Sequence, residues 1–401
     1  MPKLHYISYA RFPTEKAHGL QIAQNCEALA DAGYAVTLWV SARKNTPDMD
    51  TIDDIHAHYG VAHNFEIRRI ASLDGYALAR GNTRVEYLAF WVHVITYCLM
   101  LLVQIRRDRA DVYYSRDPYA LLALSWIVPR EQLAFEVHQF APTRKGQQAQ
   151  GIVMRRVGHT IAITPRLRQD CIAHYELDPQ SILVAHDGIR QARFADMPDQ
   201  SEARTRVGWS HGAFIVGYMG RLHTMGMDKG VGLLVDAVAQ LEGVTLALVG
   251  GPDDMAEQLA QRWRDQGGDP AHFLNVGTVA PREIPPHLSA FDVCAMPFPW
   301  TDHYAHYMSP LKLFEYMASG KAILATDLPS VVDVVQHGET AYIVPPDDVQ
   351  ALRDGIHALQ SDASLRAKLG ENARQRVLAE YTWSARADHI RAHLERYTGV
   401  Q

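Results

Sequence analysis

The sequence predicts an α/β protein made of two doubly wound domains side by side. Three observations lead there. Short β-branched and aromatic runs alternate with longer helical ones, the pattern of parallel sheets covered by helices. The rhythm breaks at residues 186–195, HDGIRQARFA, and restarts at AFIVGYMGR. The chain, at 401 residues, is also longer than a single core usually supports. The expected boundaries are 1–195 for the first domain, 196–380 for the second and 381–401 for a terminal helix that can pack back on the first.

In the first half, KLHYISYA and YAVTLWVSA flank the helical segment HGLQIAQNCEALADAG. ADVYYSR, LAFEVHQF, TIAITP and SILVAHDG follow as strands with helical sequence between them. The second half reads AFIVGYMGR, VTLALVGG, FLNVGTV, DVCAMPF, KAILATD and TAYIVPP in the same way. YTWSARADHIRAHLERYTGV looks like a final amphipathic helix. Ligands of doubly wound sheets lie beyond the carboxyl ends of the strands, so a central cleft faced by both domains is the expected site.

The segment YLAFWVHVITYCLMLLVQI, residues 87–105, is long enough to span a bilayer. His93, Thr96 and Gln104 interrupt it and strands lie on both sides, so it reads as a buried crossover helix. Arg106, Arg107 and Arg109 after it suit the negative end of that helix.

Composition excludes more than it identifies. Cys26, Cys98, Cys171 and Cys294 stand far apart without a C-x-x-C, against structural zinc and a disulfide framework, and for a reduced, cytoplasmic setting. The N-terminus enters strand-like sequence directly and has no secretory h-region. Residues 1–195 carry 22 Lys+Arg against 19 Asp+Glu, the remainder 17 against 26. The basic first half hints at an anionic partner, a membrane surface or a phosphorylated acceptor. No nucleic-acid signature stands out. The acidic run DMDTIDD, residues 48–54, reads as solvated loop rather than a metal-binding D-x-D.

Two stretches carry chemistry. In GYMGRLHTMGMDKGVGLLVDAVAQL a strand ends at Gly220, Arg221 follows, and Lys229-Gly230 leads into a helix. Glycines admit close backbone approach and the two cations sit by a helix start, a cradle for phosphate; alternatively both are ordinary loop charges. The loop is neither a Walker A nor a G-x-G-x-x-G turn, against an ATPase or dehydrogenase. In HYMSPLKLFEYMASGKAILATD, Ser309 can cap a helix, Pro310 suits its first position and Gly320 its end. Amides near Leu311 and Lys312 would then form a second anion-friendly helix start. Glu315 shares a side with Leu311 and Lys312, and pairs with Lys312 or, given its apolar neighbours, awaits a partner such as the vicinal hydroxyls of a ribose.

SPLKLFEYMASGKAILATD, with GRLH…DKG, FLNVGTVAPREIPPHLSAFDVCAMPF and YTWSARA in order, resembles the retaining glycosyltransferases of family 4, which have the GT-B fold. The likeness is specific in the second half and looser over the whole chain. It implies that Arg221 and Lys229 grip the diphosphate of a sugar nucleotide, that Glu315 accepts hydrogen bonds from the ribose, and that backbone near Thr278 and Val279 lies against the base. It also implies that Gly19, otherwise a turn glycine, lets backbone approach donor phosphate or acceptor. His138, otherwise a structural hydrogen-bonder at a strand end, would touch the donor sugar. Arg116 and Asp117 remain either an ion pair or an acceptor contact. Tyr307 stands where the family usually has a second acid on the donor sugar, and the loop from Arg221 to Lys229 is longer than expected, so His223, Met225 and Met227 can cover part of the site.

The function expected is transfer of a sugar from a nucleotide-diphosphate sugar to a hydroxyl acceptor with retention, without metal or other cofactor, in glycan, polysaccharide or glycolipid synthesis. The alternatives are a catalytically silent sugar-nucleotide-binding or membrane-associated partner, and an epimerase of similar architecture. A phosphorylase would need a pyridoxal lysine, for which no signature is visible. The expected location is cytoplasmic, or peripheral at the inner face of the membrane through the first domain.

Overall fold

Residues 1–76, 81–224 and 226–398 are described by the structure, a computed structural model. The chain forms two units, Met1–His186 with Trp383–Gln401, and Asp187–Thr382. The first unit therefore stops short of residue 195. The turn Gln191–Phe194 belongs to the second, where buried Phe194 joins the core. The terminal helix, Trp383–Thr398, belongs to the first.

The first unit is a parallel sheet of seven strands: β1 (Lys3–Ser8), β2 (Ala35–Ser41), β3 (Glu66–Ile70), β4 (Val112–Ser115), β5 (Leu133–Val137), β6 (His159–Ala162) and β7 (Ile182–Val184). Their order is β3-β2-β1-β4-β5-β6-β7. Leu4 in β1 lies opposite Val36 on one side and Val112 on the other, the continuous apolar run that a sheet covered on both faces requires. Sequence reasoning missed β3. EIRRI is charged because it is an edge strand, where exposed charges are tolerated and discourage further pairing. Helix Ala17–Asp31 and the terminal helix cover one part of this core, with Ile22, Cys26 and Leu29 meeting Trp383, Ile390 and Leu394 in one cluster.

Helix Thr83–Arg107 corrects the expectation of a fully buried crossover. Ala89, His93, Tyr97, Leu101 and Ile105 are buried. His93 Nε2 bonds the Tyr9 carbonyl at 3.0 Å and Tyr97 donates to the Trp39 carbonyl at 3.1 Å. The opposite face is apolar and open to solvent. One side of the helix meets the sheet, and among the described residues the other side stays exposed.

The second unit has β8 (Phe214–Met219), a hairpin of β9 (His223–Thr224) and β10 (Met227–Asp228), then β11 (Val244–Val249), β12 (Phe273–Gly277), β13 (Val293–Met296), β14 (Ala322–Thr326) and β15 (Tyr342–Val344). The main sheet is parallel, ordered β12-β11-β8-β13-β14-β15. The strand order reverses beside β8, so its carboxyl end is the topological switch point where ligands of such sheets bind. The long loop after Arg221 is thus a short antiparallel hairpin. Met227 packs on the core and Met225 lies outside the described residues.

Candidate functional site

Glycines end three adjacent strands of the second unit: Gly220 after β8, Gly250 and Gly251 after β11, and Gly277 in β12. Gly220 N donates to Val249 O and Gly250 N to Gly277 O, both at 2.7 Å. The φ angles of Gly220 and Gly250, 131° and 140°, are ones a side chain rarely allows. A Cβ on Gly250 would strike the Gly220 carbonyl, and one on Gly220 would strike Lys312 Nζ. Backbones packed this tightly leave a cavity of about 640 Å³ beyond the strand ends, lined by Arg221, His223, Met255, Thr278, Val279 and Ile284 among others.

Three cations gather at the end of β8. Arg221 is exposed and Lys229 half-buried, and no ion pair ties either to a carboxylate among the described residues. Lys229 lies 5.5 Å from the Phe298 ring centroid; burial, and then the charge of Arg221, lower its pKa. Lys312 donates to the Met219 carbonyl and sits 4.1 Å from the Tyr218 ring centroid. Burial and then Lys229 push its pKa well below the ordinary lysine range, against a smaller pull upward from Glu315. Asp228 is close by, its carboxylate accepting the Lys229 amide at 2.8 Å. Positive charge held together in a partly dry place is an arrangement that an anion stabilises.

Sequence reasoning gave the Lys312 side chain only a pairing with Glu315, beside a helix-start role for its backbone amide. Its position at the start of helix Leu311–Ala318, under the strand end, makes it a third member of the cation group. The helix itself differs from expectation. Pro310 occupies the cap position without a side-chain cap bond, and Ser309 Oγ instead accepts the Asp187 amide at 3.0 Å. The Leu311 amide is used too, donating to the Ser309 carbonyl at 3.0 Å. Chain geometry explains the change: with ψ of 75° at Pro310, the segment enters the helix abruptly and Ser309 points toward residue 187. Gly320, with φ of 68°, terminates the helix as expected.

Glu315 is not stranded among apolar side chains. Leu313, Phe314, Tyr316 and Met317 are buried in the core, whereas Leu311, Lys312 and Glu315 form the open face of the helix. Burial raises the Glu315 pKa while Arg193 and then Lys312 oppose the rise. Its ion-pair partner is Arg193 at 3.2 Å, whose other Nη donates to the Pro281 carbonyl at 3.0 Å. No local signal marks Arg193, because 122 residues separate the pair. Tyr307 ends the π-helical turn His303–Tyr307, preceding the Pro310 helix. His303, half-buried in that turn, has its pKa lowered by that desolvation and then by the charge of Lys229.

Gly19 and His138 belong to the first unit. Gly19 lies in the first turn of helix Ala17–Asp31, and a Cβ there would collide with Tyr59 and Thr14. Tyr59 Oη accepts the Thr14 amide at 2.7 Å and donates to the Thr14 carbonyl at 3.0 Å, so the glycine lets the preceding loop close on the helix. His138 follows β5, its Nε2 against Glu136 Oε1. Glu136 is 3% exposed and also receives Arg386 at 2.8 Å, Asn25 at 3.1 Å and the Tyr114 hydroxyl. Burial would raise its pKa, but Arg386, His138 and Arg116 outweigh that and hold it well below the carboxylate range. Arg116 and Asp117 do not pair with each other. Arg116 faces Glu136 and Gln21, and Asp117 accepts the Tyr9 amide at 2.8 Å. In the 48–54 run, Asp54 caps helix Ile55–Tyr59 and meets His63 at 3.2 Å, with His56 stacked on His63.

Two parallel sheets, each with a switch point, and a cation group beside a cavity at one of them define a doubly wound α/β class of protein with a ligand-sized cleft in its second unit. Residues 213–362, within the second unit, match the family model described as Glycosyl transferases group 1. That segment is thus similar to a group 1 glycosyltransferase domain, and the fold is of the GT-B type. A D-inositol 3-phosphate glycosyltransferase from Streptomyces bingchenggensis is 24% identical over 281 residues, which span 63% of this chain and 58% of that protein. The chain thus aligns with little more than half the length of that relative. Among solved structures, sucrose-phosphate synthase from Thermosynechococcus elongatus superposes with a TM-score of 0.74 at 19% identity, all of both chains being covered. Anabaena Alr3699/HepE in complex with UDP and glucose gives 0.70 at 18% identity, over 99% of this chain and 100% of that one.

Proposed function

We propose that this chain is a retaining, metal-independent glycosyltransferase that moves a sugar from a nucleotide-diphosphate sugar to a hydroxyl of a glycan, glycolipid or small acceptor. The observation that carries the reading is the cation group Arg221, Lys229 and Lys312 at the end of β8, beside a cavity of about 640 Å³. The solved HepE neighbour holds UDP and glucose, which fits a nucleotide in the corresponding domain here. In this reading the base lies along Thr278 and Val279, the ribose hydroxyls donate to Glu315, and the diphosphate meets the three cations.

The departing diphosphate gains negative charge in the transition state, and fixed cations in a partly dry site stabilise that charge. This is the task a divalent ion serves elsewhere, so the proposed reaction needs none. The acceptor hydroxyl attacks from the face the diphosphate leaves, a phosphate oxygen taking its proton. Glu315 positions the donor and is not a base. His138 contacts the sugar, and Glu136 orients its ring. The setting this reading implies is cytoplasmic, or peripheral at the inner face of the membrane, in glycan, polysaccharide or glycolipid synthesis.

Calorimetric titration of UDP, GDP and ADP against Arg221→Ala, Lys229→Ala, Glu315→Gln and His138→Ala tests the assignment, with donor turnover measured beside it in excess EDTA. The first three should lose affinity, each cation about 1.5–3 kcal/mol as a charge-assisted contact. His138→Ala should keep diphosphate affinity while turnover falls. Equal losses in His138→Ala and Arg221→Ala would displace the histidine from the sugar, and turnover abolished by EDTA would overturn the mechanism.

A further inference from the structure

The exposed face of helix Thr83–Arg107 has no counterpart elsewhere in the proposed reaction. Leu88, Val92, Ile95, Leu99 and Val103 recur at intervals of three and four, one stripe about 22 Å long on a helix rising 1.5 Å per residue. Leu88, Ile95 and Leu99 are 63%, 54% and 58% exposed, far beyond a scatter of single surface apolars. The helix is apolar enough to cross a membrane by composition, yet its other face is fastened to the sheet through His93 and Tyr97. A helix held on one side and apolar on the other can lie in a membrane surface but cannot span it.

Charge decides what covers the stripe. Its C-terminal end meets the loop after helix Pro118–Leu124, where Arg106 and Arg109 share a cavity with Ile127, Val128 and Pro129. Trp126 in that loop is 74% exposed, and the Arg156 guanidinium lies 4.7 Å from its ring centroid. Arg107 and Arg130 are exposed at the same end. Among the described residues the nearby acids are few: Asp108 is paired with Lys3 and Arg68, Asp111, in the same cavity, accepts the Lys3 amide at 2.7 Å, Glu131 adjoins Arg130, and Glu86 lies at the far end beside Arg84. A second copy of the chain would set arginines against arginines, or against the mutually cancelling Arg84 and Glu86. An anionic lipid surface complements both features, taking the stripe into its acyl boundary and the arginines among its head groups, with Trp126 at the level where tryptophan is favoured.

We infer that the first unit docks on anionic bilayers through this face, and that the acceptor is an amphiphile presented there. The docking stands on the surface alone, whereas the acceptor class rests on the glycosyltransferase reading. Co-sedimentation of the full chain with vesicles of phosphatidylglycerol and phosphatidylcholine, against phosphatidylcholine alone, tests the docking without any donor. The protein should bind the anionic vesicles and release as salt rises. Arg106→Glu/Arg107→Glu/Arg109→Glu should lower partitioning by a hundredfold or so, and Ile95→Glu/Leu99→Glu should abolish it. Nucleoside diphosphate affinity, read separately, should stay unchanged in both. Val332→Glu, at an exposed apolar position of the second unit, should bind vesicles as the parent does. Should the double glutamate variant not fold, brominated lipid should still quench the parent's fluorescence, and quench Trp126→Phe less. Equal binding to neutral and anionic vesicles, no binding to either, or a dimer split by Ile95→Glu/Leu99→Glu with vesicle binding intact would each overturn the inference.

Discussion

Lys312 shows how much a single side chain's setting matters. In the sequence it is a lysine at a helix start, a four-carbon stem carrying an ordinary ammonium. In the fold its Nζ reaches the Met219 carbonyl, and burial followed by the charge of Lys229 lowers its pKa well below the usual value. Lys229 is lowered as well, by burial and then Arg221. A bound diphosphate would favour the charged forms and raise both values. Because each pKa is low in the free protein and higher in the complex, binding takes up protons. Affinity should therefore fall as pH rises through the lowered free values toward lysine's ordinary 10.5. Titrating UDP in two buffers of different ionisation enthalpy measures this directly. Identical heats across that alkaline range would show that the two amines do not meet the phosphates.

At the scale of elements, β5 and the terminal helix are joined by one buried carboxylate. Glu136 collects Arg386 from helix Trp383–Thr398, Asn25 from helix Ala17–Asp31 and Tyr114 from β4, and it holds His138. Breaking a buried pair by removing one partner leaves an uncompensated charge, typically a loss of about 3–5 kcal/mol. Arg386→Met should lower stability by that order, and His138 should lose its fixed orientation. The pH dependence has a definite sign. The Glu136 pKa is lower in the folded protein than its ordinary 4.5, so its contribution is complete above that value and is lost as pH falls through the lowered one. Denaturant unfolding of the parent and Arg386→Met between pH 7 and strongly acid conditions checks this. Two curves that stay a constant distance apart on acidification would remove Glu136 from the account.

On the scale of the whole molecule, the chain leaves the first unit at His186, builds the second, and returns at Trp383. The returning helix contributes Trp383, Ala387, Ile390 and Leu394 to the first core, where each large apolar side chain contributes about 1.5–3 kcal/mol. Their sum is comparable with the whole stability of an ordinary domain, about 5–15 kcal/mol. A chain ending at Thr382 should therefore unfold its first unit and spare the second, which takes no core residue from the removed helix. Hydrogen exchange read by peptide is the measurement: protection should vanish across 1–186 and persist across 187–382. Protection that persists in both would show that the helix is an accessory.

The sequence by itself determined every strand of the second unit's main sheet, because parallel strands covered on both faces read as apolar runs and the pattern is local, whereas the hairpin β9–β10 was legible only as a long loop. It failed at β3, where an edge position permits EIRRI. It also placed Arg221, Lys229 and Glu315 in one unit, through a loop of glycines and a helix whose neighbours are fixed by chain spacing. What only the tertiary structure decided depends on residues far apart in the chain. Arg193 reaches Glu315 across 122 residues, Lys312 turns under the end of β8, and Ser309 gives up its cap to bond residue 187. The same holds for helix Thr83–Arg107, whose composition specifies apolar faces all round but not which of them meets the sheet. Packing alone selects that face, since burial is equally favourable for either until one finds a partner.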